Sequence, residues 1–114
     1  MKDSIIITKS FDFALRIIKI SNFLVEYKKQ YAIADQLIRS GTSIGANIRE
    51  ANSGFSKADF RYKMSIALKE ANETEYWLQL ILHSEMVEEK NIKDLIGECN
   101  EICKILACIV KNSK

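Results

Sequence analysis

Residues 39–60 read RSGTSIGANIREANSGFSKADF. Three of the chain's four glycines fall here, as Gly41, Gly45 and Gly54. Among the small side chains stand Leu37, Ile44, Ile48 and Ala51, at positions i, i+7, i+11 and i+14 of one helical face. Gly41 and Gly45 lie one turn apart, and each costs about 1 kcal/mol relative to Ala inside a helix. A helix carrying both is predicted to let a neighbouring backbone approach closely. SGTSIG is a poor phosphate-cradling loop, because it lacks the GxxxxGK[ST] spacing and no strand precedes it.

The punctuation follows. Gly54 comes after the last periodic residue, where a left-handed C′ glycine would stop the helix and Phe55 would make its apolar contact. Ser56 with Asp59 forms an S-x-x-D cap that opens the next helix. A stop and a start this close predict a tight αα-hairpin with antiparallel arms.

Outward from this hinge, the apolar spacing predicts an all-α chain. An antiparallel up-down-up-down four-helix bundle follows, with helices over 10–28, 33–53, 57–83 and 89–111. The 114 residues make one domain, 1–114. Residues 1–9 read as an N-terminal arm, because Ile5, Ile6 and Ile7 are consecutive and β-branched. The absence of proline suits long unbroken helices.

The first helix carries two apolar stripes. One is Phe11, Leu15, Ile18 and Val25, and the other is Phe13, Ile17, Ile20, Leu24 and Tyr27. A surface helix needs only one. The third helix runs Phe60, Met64, Ala67, Ala71, Thr74, Leu78 and Ile81 without a break, then adds Tyr76, Trp77 and Leu80 around its second half. Both features predict a homo-oligomer. The fourth helix is amphipathic, carrying Ile92, Leu95, Ile96, Cys99, Ile102, Cys103, Leu106, Ile109 and Val110.

Composition narrows the function. No apolar run reaches the length of a membrane span. No basic segment followed by an apolar one opens the chain, which argues against secretion. Three cysteines, Cys99, Cys103 and Cys108, are an odd number, so reduced thiols in the cytoplasm are expected. A di-iron site needs two Glu-x-x-His motifs. The chain has one histidine, His83, with Leu80 three residues before it. His83 also lacks the glycine-rich elbow and oxyanion loop of a hydrolase. No catalytic residue, metal site or cofactor is assigned.

Charge is uneven: residues 1–69 carry a net +6 and residues 70–114 a net −4. Arg16, Lys19, Arg39, Arg49, Arg61 and Lys63 are the candidate nucleic-acid contacts, acting on phosphates by counter-ion release. Equally, the basic half can pair with the acidic half. Internal pairing weighs more, because no Lys/Arg run exceeds two residues. Aromatic interleaving for base stacking reads as poor. One shared basic patch would favour an RNA-associated oligomer. Scattered or internally paired charges would favour a protein-interaction scaffold.

Four segments then resemble a known family: RSGTSIGANIREA (39–51), SKADF (56–60), IALKEANETEYWL (66–78) and KSFDFALRI (9–17). In order and spacing they are similar to the bacterial four-helix-bundle family of the 23S rRNA intervening-sequence protein, over residues 8–111. The resemblance implies a homopentamer with a central channel and no attached enzymatic activity. Some members are encoded within insertions in 23S rRNA genes. A distant relative, an accessory protein of diversity-generating retroelements, binds nucleic acid and a reverse transcriptase. The implied partners are therefore self and RNA or an RNA-associated protein. By motif match the fold and assembly positions are Arg39, Ser40, Gly41, Ser43, Gly45, Asn47, Glu50, Ser56, Asp59, Phe60, Glu70, Glu73 and Trp77. Arg49 departs from the pattern, where relatives carry small or apolar residues.

Overall fold

A computed structural model describes residues 4–113. It contains four helices: α1 (Ser4–Lys28), α2 (Tyr31–Asn52), α3 (Lys57–His83) and α4 (Glu89–Asn112). There is no strand among the described residues. The bundle is a rod of 44 × 20 × 19 Å.

Cross-helix contacts fix the direction of each helix. Ser40 meets Thr74 and Glu50 meets Lys63, so residue number rises along α2 as it falls along α3. The same inverse register joins Ile17 to Gly41 and Ser10 to Gly45 across α1 and α2. Arg16–Glu98 and Lys9–Glu101 give it for α1 and α4, and Cys99–Ala71 and Arg61–Val110 for α3 and α4. Each helix thus runs against both of its neighbours. Helices α1 and α3 occupy one diagonal, and α2 and α4 the other.

Helix α1 begins earlier than its sequence suggests. Residues 4–9 continue the helix instead of forming an arm; residues 1–3 lie outside the described part. Ile6 explains the difference. It is 1% exposed and lies one turn before Ser10 and two before Phe13 on the same buried face. Tertiary burial of one isoleucine outweighs the weak helix preference of three β-branched residues. Ile5 stays exposed.

The turns also differ in kind. No glycine among the described residues has a positive φ. The left-handed positions are held by Lys29 (φ 55°) and Glu85 (φ 60°), at the ends of α1 and α3. After Lys29, the Gln30 N–H donates to the Leu24 carbonyl at 3.0 Å and turns the chain into α2. Gly54 serves space instead of backbone freedom. A Cβ there would run into Asp59 Oδ2 and lie 3.1 Å from the Ala51 carbonyl oxygen. Phe55 makes no capping contact, since it is 101% exposed. The Ser56 cap forms as expected: its hydroxyl accepts the Asp59 N–H at 3.0 Å.

The two glycines of α2 admit α1, chiefly through side chains. A Cβ on Gly41 would sit 2.8 and 2.9 Å from Ile17 Cγ2 and Cγ1. One on Gly45 would meet Ser10 Oγ at 3.4 Å and its carbonyl oxygen at 3.7 Å. Phe13, Ile17 and Leu24 of α1 fill the centre with Ile44, Leu78 and Ile102 of the other helices. Tyr27, placed by its spacing on this inner stripe, lies beyond the last core layer and is exposed.

Candidate functional site

The α2–α3 seam holds most of the small and polar motif residues. At its centre the Ser40 and Thr74 hydroxyls are buried and 2.9 Å apart. Thr74 Oγ1 lies 2.7 Å from the Glu70 carbonyl and Ser40 Oγ 3.4 Å from that of Leu37. One proton joins the hydroxyls, and the other goes to a helix carbonyl. Ser43 donates to the Arg39 carbonyl at 2.6 Å, and the Asn47 amide to that of Ser43 at 2.8 Å. These polar side chains satisfy themselves on their own helix.

Outside this seam Arg39 spans three residues. Its guanidinium donates to Glu70 Oε1 at 3.2 Å, to Gln36 Oε1 at 3.3 Å and to Glu73 Oε2. Glu73 Oε2 also accepts the Trp77 indole N–H at 3.1 Å. Arg39, Glu70, Glu73 and Trp77 therefore form one connected group, with Tyr76 packed edge-on against Trp77 at 5.1 Å. Farther along, Lys63 donates to Glu50 at 2.8 Å, which raises its pKa from the ordinary 10.5. Phe60 is half-buried at the start of α3.

The six candidate phosphate contacts do not share one surface. Arg16 pairs with Glu98 across α1–α4, Arg39 with Glu70 and Glu73, and Lys63 with Glu50 across α2–α3. Arg61 Nε donates to the Val110 carbonyl at 3.4 Å. Arg49 lies over the Phe11 ring, 5.8 Å from its centroid, a cation–π contact. Among the described residues, Lys19, Arg49 and Arg61 have no carboxylate partner.

The outer stripe of α1 stays uncovered. Phe11, Leu15 and Ile18 are 50%, 48% and 37% exposed, while Val25 folds against the core. On α3, Tyr76 and Leu80 are exposed.

Along α1–α4 runs a groove of about 480 Å³. Arg16 and Lys19 stand at its wall, followed by Phe23, against Val87, Asn91 and Leu95 of the opposite side. The Phe23 ring packs on Tyr27 with centroids 5.2 Å apart. Positions 16, 19, 23 and 27 share one helical face, a pattern legible in the sequence but masked there by the two stronger apolar stripes.

Two thiols share a turn of α4. Cys99 is buried and donates to the Ala71 carbonyl at 3.2 Å, while Cys103 is half-buried beside Asn72. Hydrogen bonding with Cys103, then burial, pushes the Cys99 thiol far up; the same bond holds Cys103 below its ordinary value. Among the described residues no three His, Cys, Asp or Glu side chains converge as metal ligands. Among the described residues, too, no helix is long and apolar enough to cross a membrane.

No curated protein matches the chain. Among solved structures it is similar to a protein of unknown function from the S23 ribosomal protein family of Bacteroides thetaiotaomicron. The two share 47% identity with a TM-score of 0.91, over 94% of this chain and 99% of that one. The family model described as 23S rRNA-intervening sequence protein matches residues 2–108. With four helices and the motif residues gathered along α2–α3, the chain belongs to the 23S rRNA-intervening sequence protein family.

Proposed function

We propose that this protein is a non-catalytic, self-associating scaffold whose copies meet through the outer face of α1. The exposed stripe of Phe11, Leu15 and Ile18 carries the proposal. These side chains follow the same helical spacing as the buried stripe beside them, yet they stay largely exposed, with only Arg49 recorded over the Phe11 ring among the described residues. A contiguous apolar strip of this kind marks an interaction surface. Tyr76 and Leu80 provide a second exposed apolar face on α3, the helix diagonal to α1. Two different faces suit a head-to-tail contact, which closes into a ring when the rotation permits. A homopentamer is the assembly that the family resemblance implies.

Nucleic-acid association is the second reading. It is favoured by Lys19 and Arg49, which lack carboxylate partners among the described residues, and by the family's name, which refers to 23S rRNA. It ranks second because Arg16, Arg39, Arg61 and Lys63 are engaged within the chain.

Light scattering at micromolar concentration is the test. The wild type should give a multiple of the 13.1 kDa chain. Leu15→Asp should shift it toward the monomer while leaving the helical signal intact, because Leu15 lies outside the core. A monomeric wild type contradicts the scaffold reading.

A further inference from the structure

The α1–α4 groove sets apolar, cationic and aromatic side chains side by side. Its floor is apolar, from Ile20, Val87 and Leu95. One end of its α1 wall is cationic, with Arg16 and Lys19. The other end is aromatic, with Phe23 exposed on one side and packed against the exposed ring of Tyr27. Asn91 places an amide on the facing wall. A volume of about 480 Å³ falls in the size range of small-ligand sites.

These parts match the needs of an unpaired nucleotide. A base stacks on an aromatic ring whatever its sequence, a neighbouring cation takes its phosphate, and an amide can bond its edge. A duplex cannot use the rings, because its bases are already stacked on each other. We propose that this groove binds single-stranded RNA, with a base stacked on Phe23, whose ring abuts Tyr27 just beyond the lining, and the adjoining phosphate at Lys19.

The charges around the groove predict how such binding behaves. Glu98 neutralises Arg16, and Glu88 lies at the groove's end. Lys19 is therefore the principal free cation, and stacking supplies most of the affinity. Salt dependence should be shallow: one or two phosphates give a slope of log K against log salt of about −0.7 to −1.4 per groove. Binding through scattered surface cations would instead be steep and indifferent to the rings.

This inference narrows the nucleic-acid reading above to one site, and its test keeps the two apart. Fluorescence anisotropy would follow a labelled single-stranded RNA of about ten nucleotides, and the same strand annealed to its complement, from ~50 mM salt upward. Wild-type protein should prefer the single strand with a shallow slope. Phe23→Leu and Tyr27→Ala should each weaken it about tenfold, the size expected for one lost stacking contact. Leucine keeps apolar bulk at the half-exposed Phe23 position, so the loss would report the ring and not the fold. Lys19→Ala should flatten the slope. Equal or better duplex binding, or single-strand binding unmoved by both ring variants, overturns the groove and leaves a purely electrostatic reading standing. No affinity for either RNA at the lowest salt overturns both. Self-association, measured on the same variants by light scattering, should not change.

Discussion

Ser40 and Thr74 share a hydrogen bond of 2.9 Å at the middle of the α2–α3 seam, where neither side chain meets solvent. Each hydroxyl is the other's only cross-helix partner. Removing one leaves its mate bonded only to a carbonyl of its own helix, which costs about 1–2 kcal/mol; removing both leaves an apolar contact and can be nearly neutral. Thr74→Val and Ser40→Ala should therefore each destabilise the protein by about 1–2 kcal/mol. The double variant should recover much of that loss, giving a coupling energy of about 1 kcal/mol. Urea denaturation at one fixed protein concentration measures it, because self-association would otherwise enter the midpoint. Strictly additive losses would show that the hydroxyls act independently.

The glycines make a graded series. Gly41→Ala drives a methyl to 2.8 Å from Ile17 Cγ2, a branched side chain held in the core, so overpacking of about 1–3 kcal/mol is expected. Gly45→Ala meets Ser10 Oγ at 3.4 Å, a contact that largely cancels the roughly 1 kcal/mol gained in helix preference. Gly97 is exposed on α4 with nothing within 4 Å of an added Cβ. Gly97→Ala should stabilise by about 1 kcal/mol. Thermal unfolding should rank the variants Gly97→Ala, Gly45→Ala, Gly41→Ala from most to least stable. Ile17→Val should partly relieve Gly41→Ala.

Stability should pass through a maximum near the ordinary thiol pKa of 9.0 when wild type is compared with Cys99→Val. Cys103, held low in the folded protein by the Cys99 hydrogen bond, adds stability above its unfolded pKa and loses it as pH falls through the folded value. Cys99, held high by that bond and by burial, behaves oppositely. Its contribution is complete below the unfolded pKa and declines as pH rises toward the folded value. Above the maximum the difference should fall by up to about 1.4 kcal/mol per pH unit. Denaturant titrations across the alkaline range read this directly, and a difference that keeps rising there would reverse the assignment.

Arg39→Glu should destabilise more than Arg39→Ala. Alanine loses exposed ion pairs worth up to about 1 kcal/mol. Glutamate adds a third carboxylate beside Glu70 and Glu73, for about 1 kcal/mol further at low salt. High salt should narrow the gap. Trp77 is the only tryptophan and bonds to Glu73, so its fluorescence provides a local readout.

Spacing made the helices legible, because burial on one face imposes the same three-and-four rhythm wherever a helix packs. The α3 stripe from Met64 to Ile81 is buried as it reads. The ends were less legible. Ile6 looked like part of an arm because its partners lie on other helices. Gly54 looked like a left-handed cap from its place after the last periodic residue, but its φ is not positive, and the Asp59 carboxylate that crowds it comes from the next helix. The candidate cations were named correctly as cations, but their counterparts are remote: Arg16 finds Glu98, and Lys63 finds Glu50.

The sequence by itself determined four helices and the family, since periodicity, caps and motif order are properties of neighbouring residues. Tertiary structure decided which α1 stripe became core and which stayed outside. It also decided that most candidate phosphate contacts would meet partners within the chain, and that Lys19 and Phe23 would border one groove, with Tyr27 packed on Phe23. Those outcomes depend on the rotation and register of each helix against its neighbours. A turn of about 100° per residue separates an inward side chain from an outward one, so they are set only when all four helices pack together.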